Sequence, residues 1–332
     1  MDRFGRDRLS LRQVPIPSPV AGEVLVKVAA VSLNYRDRLI IEDGMGSPLA
    51  FPFTPGSDLA GTVAATGEGA SRFAPGERVI STFFPGWIDG LPAGDSGTLP
   101  YQSLGGAFPG VLAEYVAFPE DWLVRAPSTL PDAPASTLSC AGLTAWTALI
   151  ERGRLKPGQT VLVEGTGGVA LFGLQIAKMQ GAVVIVVSGS AAKLERVRTL
   201  GADHTIDRSA GDWVESVRAS TAGRGADHIL ELVGGAHLGR AVEAAAIGGT
   251  IAQIGIIEGF AGTLPLGPLM LKQVTLNGIG IGHRRALEDL VAAVDRTGLK
   301  PVIDRVYPLA ELPAALDHLD RGPFGKIVIA LA

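Results

Sequence analysis

A glycine-rich turn between an apolar strand and an apolar helix is the stretch of this 332-residue chain best suited to binding chemistry. Residues 161–163 form a short apolar run, and the spacing Gly165-x-Gly167-x-x-Ala170 then opens a longer apolar segment, residues 169–179. Such a turn lets the backbone approach a pyrophosphate and directs the first N–H groups of the helix at the phosphates. The spacing fits the dinucleotide fingerprint, which permits alanine at its third position. Methyltransferases and plain tight turns can show similar glycines, so the turn alone leaves these alternatives open.

Strand and helix signals alternate after this turn. Gly181 is a typical helix stop, and residues 182–187, AVVIVV, form the unbroken apolar run of a parallel strand buried on both faces. With the run at 161–163, these patterns predict six strands, the number in a doubly wound dinucleotide-binding sheet. A doubly wound sheet that binds no nucleotide is the alternative. The remaining strands are predicted at residues 203–206, 228–233, 250–254 and 275–281.

The first 130 residues follow a different pattern. Val24, Val26 and Val28 occupy alternate positions, and short strands are also predicted at 61–65, 78–81 and 113–118, separated by proline and glycine pairs. This pattern indicates a mostly antiparallel β domain. Prolines cluster between residues 127 and 134, where we predict the boundary between this domain and a dinucleotide-binding domain at residues 131–299. Periodicity leaves open which domain the tail joins.

Composition excludes several classes of partner. The chain has a net charge of −4, and 19% of its residues are charged, so it lacks the basic field that recruits nucleic acid. No apolar run approaches the roughly 18 residues of a membrane helix, and the charged first ten residues do not resemble a secretory signal. A single cysteine, Cys140, excludes an internal disulfide and suits a reducing compartment. We therefore expect a cytoplasmic protein that binds neither nucleic acid nor membrane.

The end of the second predicted strand of the nucleotide-binding domain bears on the choice of cofactor. NAD enzymes place Asp or Glu there to hold the ribose 2′-hydroxyl. This chain instead has Ser188, Gly189 and Ser190, followed by Lys193. No carboxylate repels a 2′-phosphate, and the lysine with two hydroxyls could bind one through charge-assisted hydrogen bonds. The segment favours NADPH, with NADH as the alternative.

The ordered motifs together resemble the zinc-independent, quinone-reductase-like and alcohol-dehydrogenase-like branch of the medium-chain dehydrogenase/reductase superfamily. The resemblance implies an α/β protein, with a GroES-like catalytic domain at residues 1–130, completed by about 300–332, and a Rossmann domain with a doubly wound parallel sheet. It covers nearly the whole chain. The segments that carry it are AGEVLVKVAAVSLNYRD from Ala21, PGSDLAGTVAATGEG from Pro55, APGERV from Ala74, CAGLTAW from Cys140, LKPGQTVLVEGTGGV from Leu155, AKLERVRTLGADHTID from Ala192 and GKIVI from Gly325.

The resemblance also allows the metal ligands of zinc-dependent relatives to be compared with this chain. Those enzymes use a cysteine, a histidine and a second cysteine, whereas the matching positions here are Asn34, Ser57 and Cys140. The first histidine of the chain is His204, so the 203 residues before it contain one thiol, that of Cys140, and no imidazole. Because catalytic zinc needs about three nitrogen, sulfur or carboxylate ligands, we expect no zinc. The later histidines show no ligand spacing, and we expect His237 among them at a strand end or helix surface.

The same resemblance implies which residues act on substrate and cofactor. Tyr35 is the candidate for a phenol that hydrogen-bonds or protonates the substrate oxygen, Asn34 could orient substrate or ribose, and Asp37 is a further catalytic candidate. A packed tyrosine ring and a helix-capping or arginine-paired aspartate are the structural alternatives. Besides Gly165, Ser188, Ser190 and Lys193, the positions expected to line the cofactor are Thr144, Gly167, Gly168, Val169, Val233, Gly255, Ile281, Gly325 and Lys326.

These observations predict an NADPH-preferring reductase of a small apolar carbonyl, enone or quinone. A zinc-type alcohol dehydrogenase is the enzymatic alternative. A noncatalytic NADPH-binding sensor or structural protein is the alternative of another class. The resemblance further implies a homodimer built through the sixth Rossmann strand, near residues 278–282.

Overall fold

The strands and helices come from a computed structural model that describes residues 1–46, 49–95, 97 and 102–331. In chain order the strands are β1 (Glu23–Leu33), β2 (Asp58–Thr66), β3 (Arg78–Ser81), β4 (Tyr115–Pro119), β5 (Leu123–Arg125), β6 (Thr160–Glu164), β7 (Val183–Ser188), β8 (His204–Asp207), β9 (Ala226–Glu231), β10 (Ala245–Gln253), β11 (Thr275–Gly278), β12 (Ile303–Pro308) and β13 (Lys326–Ala330). The α-helices are α1 (Tyr35–Asp43), α2 (Asp132–Ser136), α3 (Leu143–Trp146), α4 (Gly168–Met179), α5 (Ala191–Thr199), α6 (Trp213–Ser220), α7 (His237–Ala244), α8 (Leu266–Leu271), α9 (Arg284–Thr297) and α10 (Leu312–Asp320). Wider π-helical turns cover Leu138–Gly142 and Thr147–Glu151.

The chain divides into two units, each with its own sheet. The first unit consists of Met1–Ala141 and His283–Ala332, and the second of Gly142–Gly282. Residues 131–141 and 283–299, which we assigned to the nucleotide-binding domain, therefore lie in the first unit. Packing explains the difference, because α2 packs against β1 and β2 and α9 packs against β5.

The first unit is built on a largely antiparallel sheet. Within the described residues its strands run in the order β12-β13-β1-β2-β3-β5, and β4 also pairs with β1. Val24, Val26 and Val28, which the sequence pattern placed at alternate positions, are buried in the core, and Lys27 between them is exposed. Leu25 is buried as well, so the alternation is not strict. The tail, whose destination periodicity left open, supplies β12 and β13 to this sheet.

The second unit, all of whose residues are described, contains a six-stranded parallel sheet in the order β11-β10-β9-β6-β7-β8. This is the doubly wound order of a Rossmann fold, with the reversal of strand order between β6 and β9. The predicted fold class is confirmed. Leu162, Ile185 and Ile229 form a core with residues of α6 and α7 on one face of the sheet.

The opposite face of this sheet packs against α4. A Cβ atom added to Gly173 would lie 2.2 Å from Cδ1 of Leu230 on β9. Glycine at this helix position therefore leaves room for the side chain of Leu230 against the helix backbone. Because β6 leads into α4, this packing also sets the position of the glycine turn that joins them.

No helix among the described residues is long and apolar enough to cross a membrane.

Candidate active site

The glycine turn after β6 leaves the start of α4 open to a ligand. Gly165 has a φ of +87°, which favours glycine, and its N–H donates a hydrogen bond of 2.7 Å to the carbonyl of Val187 on β7. A Cβ atom at Gly165 or Gly167 would meet no heavy atom of the described chain within 4 Å. The helix begins at Gly168 and has no side-chain cap, so its first N–H groups, including that of Val169, can bind phosphate. The residues present therefore fit a dinucleotide.

The predicted cofactor-specificity residues lie together at the end of β7. The hydroxyl of Ser188 accepts a hydrogen bond from the N–H of Ser190, and the hydroxyl of Ser190 accepts one from the N–H of Lys193. Ser190 is thus the N-cap of α5. Asp207, the register partner of Ser188, accepts hydrogen bonds from the N–H and hydroxyl of Ser209.

Sequence reasoning missed a second cation at this position. Arg208 follows β8 directly, and its N–H donates to the carbonyl of Ser188. Its Nε lies 3.2 Å from where a Cβ of Gly189 would be, so the guanidinium passes over the glycine. The signal was present in the chain, because the third strand of a doubly wound sheet lies beside the second and the residue after it reaches the same edge.

The other residues of the second unit that were predicted to line the cofactor lie in the loops after β9, β10 and β11 and on α3. The loops after β9 and β10 are in close contact, since a Cβ on Gly255 would lie 2.3 Å from the backbone nitrogen of Val233. Thr144 on α3 and Ile281 after β11 are both buried.

A buried titratable cluster in the second unit was not predicted. It comprises Glu164 at the end of β6, Glu231 at the end of β9 and His237 at the start of α7, and His237 is largely buried rather than on a helix surface. Burial raises the pKa of Glu164 to about 7, although His237 opposes this shift. Burial lowers the pKa of His237, but the two carboxylates outweigh it and raise the pKa to about 9. The cluster was hidden because its residues come from separate strands and a helix.

In the first unit, strand register collects polar residues at one end of three neighbouring strands. Ser32 of β1 pairs with Asp58 of β2, and Leu33 of β1 pairs with Ile327 of β13. Asn34 follows β1 directly and Ser57 precedes β2, so these side chains meet the first residue of β13, Lys326. We call Asn34, Ser57, Asp58 and Lys326 the Lys326 cluster; all four are buried.

A continuous chain of hydrogen bonds joins the Lys326 cluster. Nζ of Lys326 donates to the carbonyl of Leu33 and to Oδ1 of Asn34. Nδ2 of Asn34 donates to Oγ of Ser57 over 3.4 Å, and that hydroxyl donates to Oδ1 of Asp58 over 2.6 Å. Oδ2 of Asp58 accepts the backbone N–H of Cys140. The cluster therefore connects all three positions that match zinc ligands in the resembled enzymes.

Asp37 and Arg36 hold the start of α1. Oδ2 of Asp37 accepts the N–H of Asn34 over 2.7 Å, and Oδ1 lies 3.2 Å from Nη1 of Arg36. Arg36 also donates to the carbonyls of Leu104 and Gly105. Asp37 thus has both the capping and the arginine-paired arrangement weighed as alternatives to proton transfer.

Tyr35 differs from its neighbours because it is the exposed residue of this segment, with 38% of its surface accessible. The guanidinium of Arg38 lies 5.8 Å from its ring centroid. Gly325, the neighbour of Lys326, has a φ of +93° and packs closely against the carbonyl of Val302. Gly325 and Lys326 are the two residues of the tail that were predicted to line the cofactor. The ammonium of Lys326 is instead hydrogen-bonded to Leu33 and Asn34 of the first unit.

Sequence comparisons assign the chain to a family. Residues 20–128 match the alcohol dehydrogenase GroES-like domain, and residues 168–296 match the zinc-binding dehydrogenase family. The zinc-type alcohol dehydrogenase-like protein C1773.06c of Schizosaccharomyces pombe is 36% identical over 337 residues, which cover 98% of this chain and 96% of the relative. The chain belongs to the medium-chain dehydrogenase/reductase superfamily.

Relatives of this medium-chain dehydrogenase/reductase include quinone oxidoreductases. That of Rattus norvegicus is 27% identical over 331 residues, covering 96% of this chain and 92% of the relative. A crystal structure from Sinorhizobium meliloti 1021, provisionally assigned as an alcohol dehydrogenase, is 60% identical with a TM-score of 0.94, covering 96% of this chain and 93% of that one. A structure of an NAD-dependent alcohol dehydrogenase is 34% identical with a TM-score of 0.89, covering 99% and 98%. The protein is therefore an oxidoreductase of this pyridine-nucleotide-dependent superfamily.

The buried carboxyl of Asp58 predicts a pH-dependent stability. Burial raises its pKa to about 6, above that of an unfolded aspartate, so ionisation costs folding free energy as pH rises through that value. The free energy of unfolding of wild type contains this cost and that of Asp58→Asn does not. As pH rises from 4 to 7.5, we therefore expect the difference between the two free energies of unfolding to change by on the order of 3 kcal/mol in favour of Asp58→Asn. Urea denaturation of both proteins across this range measures the difference.

The exposed Asp289 provides the control, because Asp289→Asn tests the same substitution on a surface helix position. A difference between wild type and Asp58→Asn that stays constant with pH, or that favours wild type as pH rises, would contradict the prediction.

Proposed function

We propose that this oxidoreductase is zinc-independent and transfers a hydride between NADPH and a small apolar carbonyl, enone or quinone. One observation carries the proposal: the Lys326 cluster uses the side chains at two of the three positions where zinc-dependent relatives bind metal. When bound, the cofactor supplies the hydride, and the protein must orient the substrate and stabilise the charge that develops on its oxygen.

The donor atoms at these three positions do not fit catalytic zinc. Oδ1 of Asn34, the amide atom that could bind a metal, accepts a hydrogen bond from the ammonium of Lys326. The hydroxyl of Ser57 donates to Asp58. Burial raises the pKa of the Cys140 thiol, which disfavours the thiolate that binds zinc. No step is therefore assigned to a metal.

The first unit supplies the polar groups for catalysis in this proposal. Tyr35 acts on the substrate oxygen through its phenol, which its exposure supports. Asn34 orients the substrate or the ribose, and Lys326 holds its amide in one orientation. Asp37 acts as a positioning residue, because its carboxylate accepts the N–H of Asn34 and so sets the backbone before Tyr35.

The preference for NADPH rests on two cations at the end of β7. Lys193 was predicted from sequence, and the position of Arg208 over Gly189 adds a guanidinium, which can pair with phosphate in a bidentate way. The name of the 34% identical NAD-dependent alcohol dehydrogenase favours NADH instead. Titration with NADPH and with NADH distinguishes the two preferences.

Two other functions compete with this proposal. The names of the matched zinc-binding dehydrogenase family and of the zinc-type relative favour a zinc alcohol dehydrogenase. The second competing function is that of a noncatalytic protein, which would bind NADPH at the turn after β6 but would not reduce a substrate.

The protein is further proposed to be a cytoplasmic homodimer. Its single cysteine supports the compartment. The dimer is supported by β11, which lies at the edge of the parallel sheet, and by exposed apolar side chains of α8, Leu266, Met270 and Leu271.

A substrate panel tests the function. Oxidation of NADPH and NADH is followed with quinones, enones and aldehydes, before and after chelation, once circular dichroism shows that the chelated protein remains folded. We expect NADPH-preferring turnover that survives chelation, because no step passes through a metal. Chelator-sensitive oxidation of alcohols with NAD would establish the zinc enzyme, and NADPH binding without any turnover would establish the noncatalytic protein.

Substitution of the two cations tests the cofactor preference. Lys193→Ala and Arg208→Ala should each weaken NADPH binding about 10- to 100-fold and change NADH binding little, since each charge-assisted hydrogen bond to the 2′-phosphate contributes about 1.5–3 kcal/mol. Fluorescence titration with both cofactors measures this. Arg198→Ala, further along α5 and paired with Glu195, is the control. Equal losses for the two cofactors would refute the 2′-phosphate role.

Tyr35→Phe tests the phenol. Turnover should fall about 100-fold, because a positioned proton donor or hydrogen bond is lost, while the Kd of NADPH stays unchanged. Steady-state kinetics with the best panel substrate and cofactor titration provide the two measurements. Tyr115→Phe on β4 of the same unit is the matched control, and wild-type turnover in Tyr35→Phe would remove the residue from the mechanism.

A further inference from the structure

Three side chains that bear metal-ligating atoms converge in the second unit. Glu164 lies two residues after Leu162 on β6, and Glu231 lies two residues after Ile229 on β9. Since alternate residues of a strand share a face, both carboxylates point to the side of the sheet that α6 and α7 cover. His237 begins α7 on that side, and the ligand atoms of all three residues lie within 4.8 Å of one another.

The spacing of these atoms suits a tetrahedral cation. Zinc bonds to nitrogen and carboxylate oxygen are about 2.0–2.1 Å, so two ligand atoms at the tetrahedral angle lie about 3.3–3.4 Å apart. Nδ1 of His237 lies 3.2 Å from Oε2 of Glu164 and 3.6 Å from Oε1 of Glu231. These distances lie on either side of that separation.

The hydrogen-bonding state of the cluster also points to a missing ligand. Glu164 is 3% exposed, and neither of its carboxylate oxygens has a hydrogen-bond partner in the described part of the chain. Nδ1 of His237 likewise makes no hydrogen bond there, despite its nearness to both carboxylates. A buried carboxylate without hydrogen bonds is costly, so a group that contacts both of its oxygens or replaces their lost hydration is expected.

Glu231 can join such a site without losing its present bonds. Its Oε1 accepts the N–H groups of Val233 and Gly234, and its Oε2 accepts that of Gly234. A carboxylate has about four acceptor positions, so one remains for a cation. The ring of His237 stacks on Trp213 with centroids 5.0 Å apart and planes 10° apart, which holds the imidazole in orientation.

We propose that Glu164, Glu231 and His237 bind a divalent first-row transition metal ion such as Zn²⁺. Two carboxylates and one imidazole form a ligand set that zinc accepts, and three protein ligands leave a fourth position for water. The ion joins the ends of β6 and β9 to the start of α7, directly before the Gly165 turn and the Val233 loop. Its role is structural, and the site belongs to the second unit, whereas Asn34, Ser57 and Cys140 belong to the first. The inference does not depend on the proposed activity.

Zinc titration of the full-length, chelator-treated protein tests this site. Calorimetry against a competing chelator should show one saturable site per chain, and Zn²⁺ should raise the Tm. Glu164→Gln and His237→Gln should each weaken Zn²⁺ binding at least about 100-fold and abolish the rise in Tm. Circular dichroism of the metal-free variants shows whether they fold, and His237→Gln serves if the more buried Glu164→Gln does not.

Two control variants separate this site from other carboxylates and from the thiol. Glu243→Gln lies on the same helix, where Glu243 pairs with Arg240, and Cys140→Ser removes the thiol of the first unit. Both should retain wild-type affinity, and bound Co²⁺ should show visible ligand-field bands without a thiolate charge-transfer band.

Three results would overturn the proposal. They are the lack of saturable Zn²⁺ binding, affinity that is unchanged in both Glu164→Gln and His237→Gln, and binding that is lost in Cys140→Ser. The first would leave the cluster as an imidazolium held between two carboxylates. Turnover enters none of these measurements, so a failure here is separate from a failure of the proposed reaction.

Discussion

The burial of the Lys326 ammonium is the constraint on which the polar cluster of the first unit depends. A charge removed from water must be surrounded by acceptors, and here the carbonyl of Leu33 and the amide oxygen of Asn34 accept hydrogen bonds from the ammonium. The amide nitrogen of Asn34 and the hydroxyl of Ser57 continue the chain of hydrogen bonds to the carboxylate of Asp58. This requirement determines the surroundings of Asn34 and Ser57. Two positions that hold metal in zinc-dependent relatives are thereby committed to hydrogen bonds around a lysine.

Strand register makes this arrangement possible. The end of β1 and the beginnings of β2 and β13 meet at one edge of the sheet, so residues distant along the chain become neighbours without any loop having to fold inward. The capping bond from Asn34 to Asp37 then turns the chain into α1. In consequence Tyr35 is exposed while the residues on either side of it, Asn34 and Arg36, are buried.

The second unit depends on a different property, the parallel alignment of its strands. All six strands end at one edge, where the glycine turn, the serines after β7 and the loops after β9 and β10 come together. The reversal of strand order lies between β6 and β9, and Glu164 and Glu231 end these two strands. The edge that binds dinucleotides in such folds therefore also holds the carboxylates of Glu164 and Glu231 close together. The sequence pattern around either residue does not predict this contact.

Sequence patterns were sufficient for most of the strands and helices, because burial of one or both faces leaves a periodicity that neighbouring residues carry themselves. They predicted β7 and α4 closely, but not the three-residue β5, which is too short to show alternation. They placed the domain boundary at a proline cluster, whereas packing of α2 and α9 assigns both helices to the first unit.

What the sequence determined by itself was therefore the fold class, the glycine turn, the lack of a carboxylate at Ser188 and the residue types at Asn34, Ser57 and Cys140, all of which follow from local patterns. Only the tertiary structure decided the partners of the buried charges. Lys326 bonds to Asn34 across 292 residues of chain, Arg208 reaches Gly189 from a neighbouring strand, and His237 meets two glutamates from different strands. The reason is physical: periodicity records which face of an element is buried, whereas the partner of a buried polar group depends on register and topology, which bring together residues that have no local relation.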